Sequence, residues 1–220
     1  MKKLGAITIG QSPRVDVTPE MLPFLTEFQV VEKGALDGLG PEELAALAPK
    51  PGENVLVSRL RDGSQVTMSK QSILHLMQQR IDELQAEGVD VILLLCTGHF
   101  PSFDCNALLL EPDRILNNAV HGLLAKGKLG VFNPVPEQRE ASLEKWERDG
   151  LEVFTAAGSP YLPGDEIEKA ALSLKEHDVD LILLDCMGYT EEMKRTVKQI
   201  TGKPVILSRT LVARVLGELG

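Results

Sequence analysis

Two cysteines stand where chemistry is expected. Cys96 and Cys186 each end an aliphatic run, and each is followed two residues later by glycine, in Cys96-Thr97-Gly98 and Cys186-Met187-Gly188. They lie in twelve-residue segments, 89–100 and 179–190, that align without a gap and are identical at seven positions. Buried parallel strands all resemble one another in being rich in Val, Ile and Leu. That explains the aliphatic positions, but not the early aspartate (Asp90, Asp180), the cysteine and the glycine in both copies. A lone cysteine after an aliphatic strand is most often core filler. A repeated pair suits a division of labour, with one thiolate removing a proton from carbon and the other thiol returning one to the opposite face. Gly98 and Gly188 would let backbone amides approach an anionic ligand.

The elements that position these residues follow from periodicity. Leu4–Ile9 reads as a buried first strand, and 19–28 as a short helix with Thr18 as N-cap and Pro19 at N1. A second short helix runs from Pro41 to about Pro49. Residues 54–60 and 64–68 are strand-like around the turn Arg61-Asp62-Gly63. Ser69 caps a helix that Gly88 stops. A strand at 89–95 leads into the Cys96–Cys105 loop, and a helix at 111–126 follows. Beyond it, strands at 129–132, 151–156, 179–184 and 205–207 alternate with helices at 136–148, 164–176, 189–200 and 210–219. This pattern predicts a parallel α/β sheet. A weaker echo pairs 3–7 with 128–132. The chain therefore reads as two similar α/β halves with parallel central strands, related by a pseudo-twofold. The first half is 1–98 plus 205–220 and the second is 99–204. Ligands of such sheets bind outside the carboxyl ends of strands, so Cys96 and Cys186 are expected to approach one cleft from opposite sides.

The same reasoning selects the neighbours of the cysteines. Gly10, Gln11 and Ser12 form the tight loop after the first strand and are candidate substrate contacts. Arg14 beyond them could clamp a carboxylate, with Asp16 orienting it or assisting a cysteine as base. Thr97, Gly98, Met187 and Gly188 flank the thiols. His99 and Tyr189 occupy matching positions in the repeat and could donate protons or contact substrate. Asp185 replaces Leu95 of the first copy, and a carboxylate buried at a strand end needs a partner or a ligand. Arg209 follows the last strand as a second anion contact. Trp146 reads as a core or interface residue.

Other classes are argued against. The 220 residues carry 43% apolar and 25% charged residues and a formal net charge of -9. That is an ordinary globular balance, with no electrostatic attraction for nucleic acid or anionic lipid. No signal peptide or spanning segment is recognisable. Three cysteines suggest no disulfide framework, and a reducing, cytoplasmic setting is expected. Cys96, His99 and Cys105, with Asp104 nearby, do not match a zinc pattern, so no metal is expected. No nucleotide-binding or nucleophile-elbow motif occurs, so no cofactor is expected. A redox sensor lacks its Cys-x-x-Cys.

The segment Thr8-Ile9-Gly10-Gln11-Ser12-Pro13-Arg14-Val15-Asp16, with the paired cysteine strands, resembles the AroM-like family over essentially the whole chain. That family in turn resembles the aspartate/glutamate racemase superfamily. The resemblance implies two Rossmann-like halves with an active site between them, frequent homodimers and no cofactor. It matches Cys96 and Cys186 to two catalytic cysteines. The expected activity is that of a cofactor-independent isomerase or racemase-like enzyme on a small carboxylate or carbonyl compound. The alternatives are a cysteine-dependent decarboxylase and a non-catalytic protein binding a small acid.

Overall fold

In a computed structural model describing residues 1–220, the chain divides into two compact units, residues 1–113 with 213–220, and residues 114–212. The first contains β1 (Lys2–Thr8), α1 (Thr18–Met21), β2 (Phe28–Gly34), α2 (Pro41–Ala46), β3 (Val55–Arg59), β4 (Gln65–Ser69), α3 (Lys70–Ala86), β5 (Val91–Leu94), β6 (Leu108–Leu110) and the start of α4 (Pro112–Leu123). Its main sheet is parallel, in the order β2-β1-β5-β6. β3 and β4 form an antiparallel hairpin, closed at Gly63, whose φ of +95° suits a residue without Cβ.

The second unit contains β7 (Gly127–Asn133), α5 (Arg139–Trp146), β8 (Leu151–Ala157), α6 (Glu166–Glu176), β9 (Leu181–Leu184), α7 (Glu191–Thr201), β10 (Val205–Leu207) and most of α8 (Ser208–Gly217). Its parallel sheet has the order β10-β9-β7-β8. Read from the opposite edge, this is the strand order of the first unit. The register agrees too: Leu4 pairs with Val91 and Ile7 with Leu94, as Leu129 pairs with Leu181 and Phe132 with Leu184.

Two sequence features set that shared register. The repeated aspartates sit at the amino ends of the central strands, away from the cysteines. Asp90 accepts the Lys3 amide through Oδ2 at 2.7 Å, and Asp180 accepts the Lys128 amide at 2.8 Å. Each thereby pins the start of one central strand to its neighbour. Glycine does the second task. A Cβ on Gly5 would lie 2.6 Å from Leu84 Cδ1, and one on Gly130 would lie 3.0 Å from Leu174 Cδ1. The missing side chain lets one leucine of the covering helix, α3 or α6, pack down onto the strand. Both leucines are fully buried. In α3 the apolar stripe is Ile73, Leu76, Met77, Ile81 and Leu84, and in α6 it is Ile167, Ala170, Ala171 and Leu174. β5 and β9 are buried along their whole length, which is why they read as uninterrupted aliphatic runs.

Some local expectations are corrected. The segment 19–28 is not one helix: α1 begins at Thr18 with Val17 as N-cap, a 3-10 turn covers Leu22–Phe24, and Phe28 starts β2. β2 is an edge strand with only its ends buried, so Glu32 and Lys33 interrupt its apolar signal. β6 is a three-residue edge strand inside what reads as loop. α2 ends at Ala46, α4 at Leu123, and α5 begins at Arg139 after a 3-10 turn at Pro136–Gln138.

Candidate functional site

Both cysteines lie just beyond the carboxyl ends of equivalent strands, Cys96 after β5 and Cys186 after β9. Each thiol is hooked the same way. The Gly98 amide donates to Cys96 Sγ at 3.4 Å, and the Gly188 amide donates to Cys186 Sγ at 3.3 Å. A hydrogen bond donated to sulfur favours the thiolate over the thiol. Cys105 shows the opposite arrangement. Its own S–H donates to the Ala107 carbonyl at 3.4 Å, and burial pushes its thiol upward, with the charges of Asp104 and Asp82 adding to the effect.

In the first unit Cys96 is half-buried and Thr97 buried. His99 projects outward, its side chain 72% exposed, with Nδ1 2.9 Å from Asp113 Oδ2 at the start of α4. Arg14 is buried at the carboxyl end of β1. Its Nε and Nη2 donate to Asp16 at 2.8 Å each, and Nη1 donates to the hydroxyls of Thr8 at 2.9 Å and Ser58 at 3.3 Å. Burial alone would raise the Asp16 carboxyl. The hydrogen bond and charge of Arg14 outweigh it and hold the group below its usual range. A carboxylate so held is a weak proton acceptor near neutral pH, and Asp16 stands in this geometry as the residue that orients Arg14.

Gly10, Gln11 and Ser12 belong to a clasp that ties the β1 loop to the hairpin and to Asp37. Ser12 donates to Asp37 through both its amide and its hydroxyl, and Arg61 donates to the Ser12 carbonyl. The Gln11 amide donates to the Arg59 carbonyl at 3.2 Å, while Gln11 Oε1 accepts the Arg61 amide at 2.8 Å. A Cβ on Gly10 would lie 2.5 Å from the Arg59 carbonyl oxygen, so glycine is what lets the hairpin come close.

The second unit surrounds its thiol differently. Cys186 and Asp185 are nine-tenths buried or more, and Met187 and Tyr189 almost completely. Asp185 meets Lys145 Nζ at 3.0 Å and accepts the Trp146 indole N–H at 2.9 Å, which fastens α5 to the end of β9. The buried carboxylate thus has protein partners, and Trp146 is a core residue. Tyr189 is also core: its hydroxyl donates to the Gly158 carbonyl at 2.8 Å and its ring meets Phe132 edge-on. Burial, first of all, raises its phenol well above 10.0, so it stays protonated. Arg209, fully buried, donates through Nε to the Met187 carbonyl at 2.9 Å and through Nη2 to the Gly188 carbonyl at 2.7 Å. It braces the cysteine loop by its carbonyls and leaves the Gly188 amide to the sulfur.

A residue that sequence reasoning passed over lies beside Cys186. Tyr161, in the loop after β8, places its hydroxyl 3.7 Å from Sγ. The available signal was its rarity, since the chain has only two tyrosines, and its place in a strand-end loop. No group of three or more His, Cys, Asp or Glu side chains converges as a metal centre would require. No helix is long and apolar enough to cross a membrane.

The arrangement agrees with what the chain is similar to. No curated protein matches it by sequence. Glutamate racemase from Aquifex pyrophilus superposes with a TM-score of 0.63 at 18% identity, covering 99% of this chain and 84% of that one. Nocardia farcinica maleate cis-trans isomerase bound to TRIS gives 0.62 at 16% identity, covering 98% and 91%. An arylmalonate decarboxylase gives 0.61 at 15% identity, covering 99% and 93%. At these identities the likeness is one of fold, and the fold is the racemase-like α/β architecture that the sequence led one to expect. A sequence model of the family described as AroM protein matches residues 4–220.

Proposed function

Since the chain belongs to the AroM protein family, we propose that it is a cofactor-independent isomerase or racemase-like enzyme acting on a small carboxylate or carbonyl compound. The observation that carries this reading is the repeated hook. Two thiols at the carboxyl ends of equivalent strands both accept a backbone amide from the glycine two residues on, at 3.4 and 3.3 Å, whereas the third cysteine donates instead. In this reading one thiolate takes a proton from the carbon beside a carboxylate or carbonyl, becoming a thiol and leaving an enolate. The other thiol gives its proton to that carbon and becomes the thiolate. No proton is gained or lost overall, and the charge that grows on the substrate oxygen is met by protein donors. Arg14, oriented by Asp16, and the loops Thr97–Gly98 and Met187–Gly188, whose glycine amides are given to the sulfurs, are the proposed substrate contacts, with His99 a proton donor at the exposed side of its loop. A reducing, cytoplasmic setting suits the free thiols.

The test is solvent deuterium exchange at the α-carbon of a panel of small 2-substituted and unsaturated acids, followed by proton NMR. Wild type exchanges at least one of them, and Cys96→Ser and Cys186→Ser each lower that rate by about 10²–10⁴-fold. Exchange that survives both substitutions refutes proton transfer by thiols. A second reading is a decarboxylase, which needs only one thiol to protonate the enolate left by loss of carbon dioxide. The inequality of the two sulfur environments favours it, Cys96 being half-buried and Cys186 nearly closed off. Carbon dioxide release that depends on one cysteine and tolerates loss of the other selects this reading.

A further inference from the structure

The two hooks are not equivalent, and the difference resides in what touches the glycine. A Cβ on Gly98 would meet Leu56 Cδ2 at 3.2 Å. A Cβ on Gly188 would lie 2.6 Å from Tyr161 Cζ and 2.8 Å from Pro160 Cγ. Gly188 is therefore the residue that admits a phenol ring against the cysteine loop. The same contact delivers the Tyr161 hydroxyl to 3.7 Å from Cys186 Sγ, beside the Gly188 amide that already donates to it.

The ring is held there by a chain of hydrogen bonds within its own unit. The Tyr161 amide donates to Ser159 Oγ at 3.0 Å. Ser159, 2% exposed, donates its amide to Glu166 Oε2 at 3.1 Å at the start of α6. The Gly158 amide donates to the Asn133 carbonyl at the end of β7, and its carbonyl accepts the Tyr189 hydroxyl. Contacts from α6, from β7 and from Tyr189 thus fix the loop that carries the phenol. An unperturbed phenol titrates near pH 10 and a thiol near 8.5, so between a tyrosine and an ionised cysteine the phenol is the donor.

We propose that Tyr161 is the positioning residue for Cys186: its hydroxyl donates to the sulfur and, together with the Gly188 amide, holds Cys186 as a thiolate. The inference rests on the reading above only in giving that thiolate a task. The hydrogen bond itself is independent of any substrate. Cys186 is nearly closed to solvent, which by itself disfavours the thiolate, and two donors aimed at one sulfur are the means by which a buried thiol is kept ionised.

The experiment is alkylation by iodoacetamide across a pH series in a Cys105→Ser background, with each cysteine quantified by peptide mass spectrometry. Tyr161→Phe keeps the ring against Gly188 and removes only the hydroxyl. The expected result is that the Cys186 rate–pH profile moves to higher pH and its rate near pH 7 falls about tenfold, while Cys96 changes by less than about twofold. Gly188→Ala, which displaces the ring without removing the hydroxyl, shifts the Cys186 profile in the same direction. An unmoved Cys186 profile in Tyr161→Phe overturns the proposal. So does an equal fall at both cysteines, which would mean a general change in the fold. If the profile shifts as expected while deuterium exchange ignores both thiols, the functional reading falls and the Tyr161–Cys186 pair stands.

Discussion

The two units share strand order, register, the aspartate clamp and the glycine–leucine contact, yet they part company within a few residues of the strand ends. In the first, the space beyond β1 and β5 is occupied by charged and polar side chains: the Arg14–Asp16 pair, the Ser12–Asp37 clasp and an outward His99. In the second, the space beyond β7 and β9 is closed by buried groups: Asp185 with Lys145 and Trp146, Tyr189 in the core, and Arg209 beneath the cysteine loop. The common features all secure strands and helices. The divergent ones all lie where open α/β sheets meet their ligands. What was kept in both copies is scaffold plus one thiol hook, and what changed is the medium around the sulfur.

That contrast can be broken most severely at Asp185. Asp185→Leu copies Leu95 of the first unit but withdraws the carboxylate facing Lys145 and Trp146. A loss of about 3–5 kcal/mol is expected in urea unfolding, because half of a buried ion pair remains. Asp185→Leu without loss would mean that the ion pair does not hold α5. The shared scaffold is probed by Leu84→Ala and Leu174→Ala. Each opens a cavity over a central-strand glycine and is expected to cost about 2–5 kcal/mol, with the two values close to each other. A large disparity would show that the repeat is one of sequence more than of packing.

Smaller differences sharpen the comparison. Gly188→Ala drives a Cβ into Tyr161 and Pro160 and is expected to cost about 1–3 kcal/mol, whereas Gly98→Ala, pressed at 3.2 Å by the tip of Leu56 and otherwise in ordinary contact with Cys96 Sγ and Phe100, costs less. Denaturant midpoints of the two variants order the sites directly, and equal midpoints would remove the distinction. The mildest effect belongs to Asp16, whose folded-state carboxyl titrates below the usual 3.8: burial opposes the shift and Arg14 outweighs it. The stability this lends is present above the usual value and is lost as pH falls through the lower folded value. Wild type should therefore exceed Asp16→Asn in stability at neutral pH, and the gap should close only in strong acid. A gap constant with pH would assign the effect to packing rather than charge.

Much of the scaffold was readable in the chain because its signals are local. Continuous aliphatic runs mark strands covered on both faces, and the stripe from Ile73 to Leu84 marks one helix face. β2 escaped because an edge strand needs no continuous apolar run, and Glu32 and Lys33 mask it. The repeated Asp90 and Asp180 drew notice with the cysteines, but they act at the other end of the strands. A repeat shows that a residue matters without showing which end of the element it serves.

The sequence by itself determined the α/β architecture, the order of its central strands' signals and the strand-end placement of Cys96 and Cys186, since these follow from hydrophobic period and from a side chain's position along its own element. Only the tertiary structure decided the partners. It turned Asp185 toward Lys145 and Trp146, sank Tyr189 into the core, gave Arg14 to Asp16 and Arg209 to the carbonyls of Met187 and Gly188, and brought Tyr161 to Cys186 across 25 residues of chain. The reason is physical. Polar side chains are buried only where donors and acceptors from other elements converge, and that convergence is fixed by how helices and loops pack, which no local pattern records.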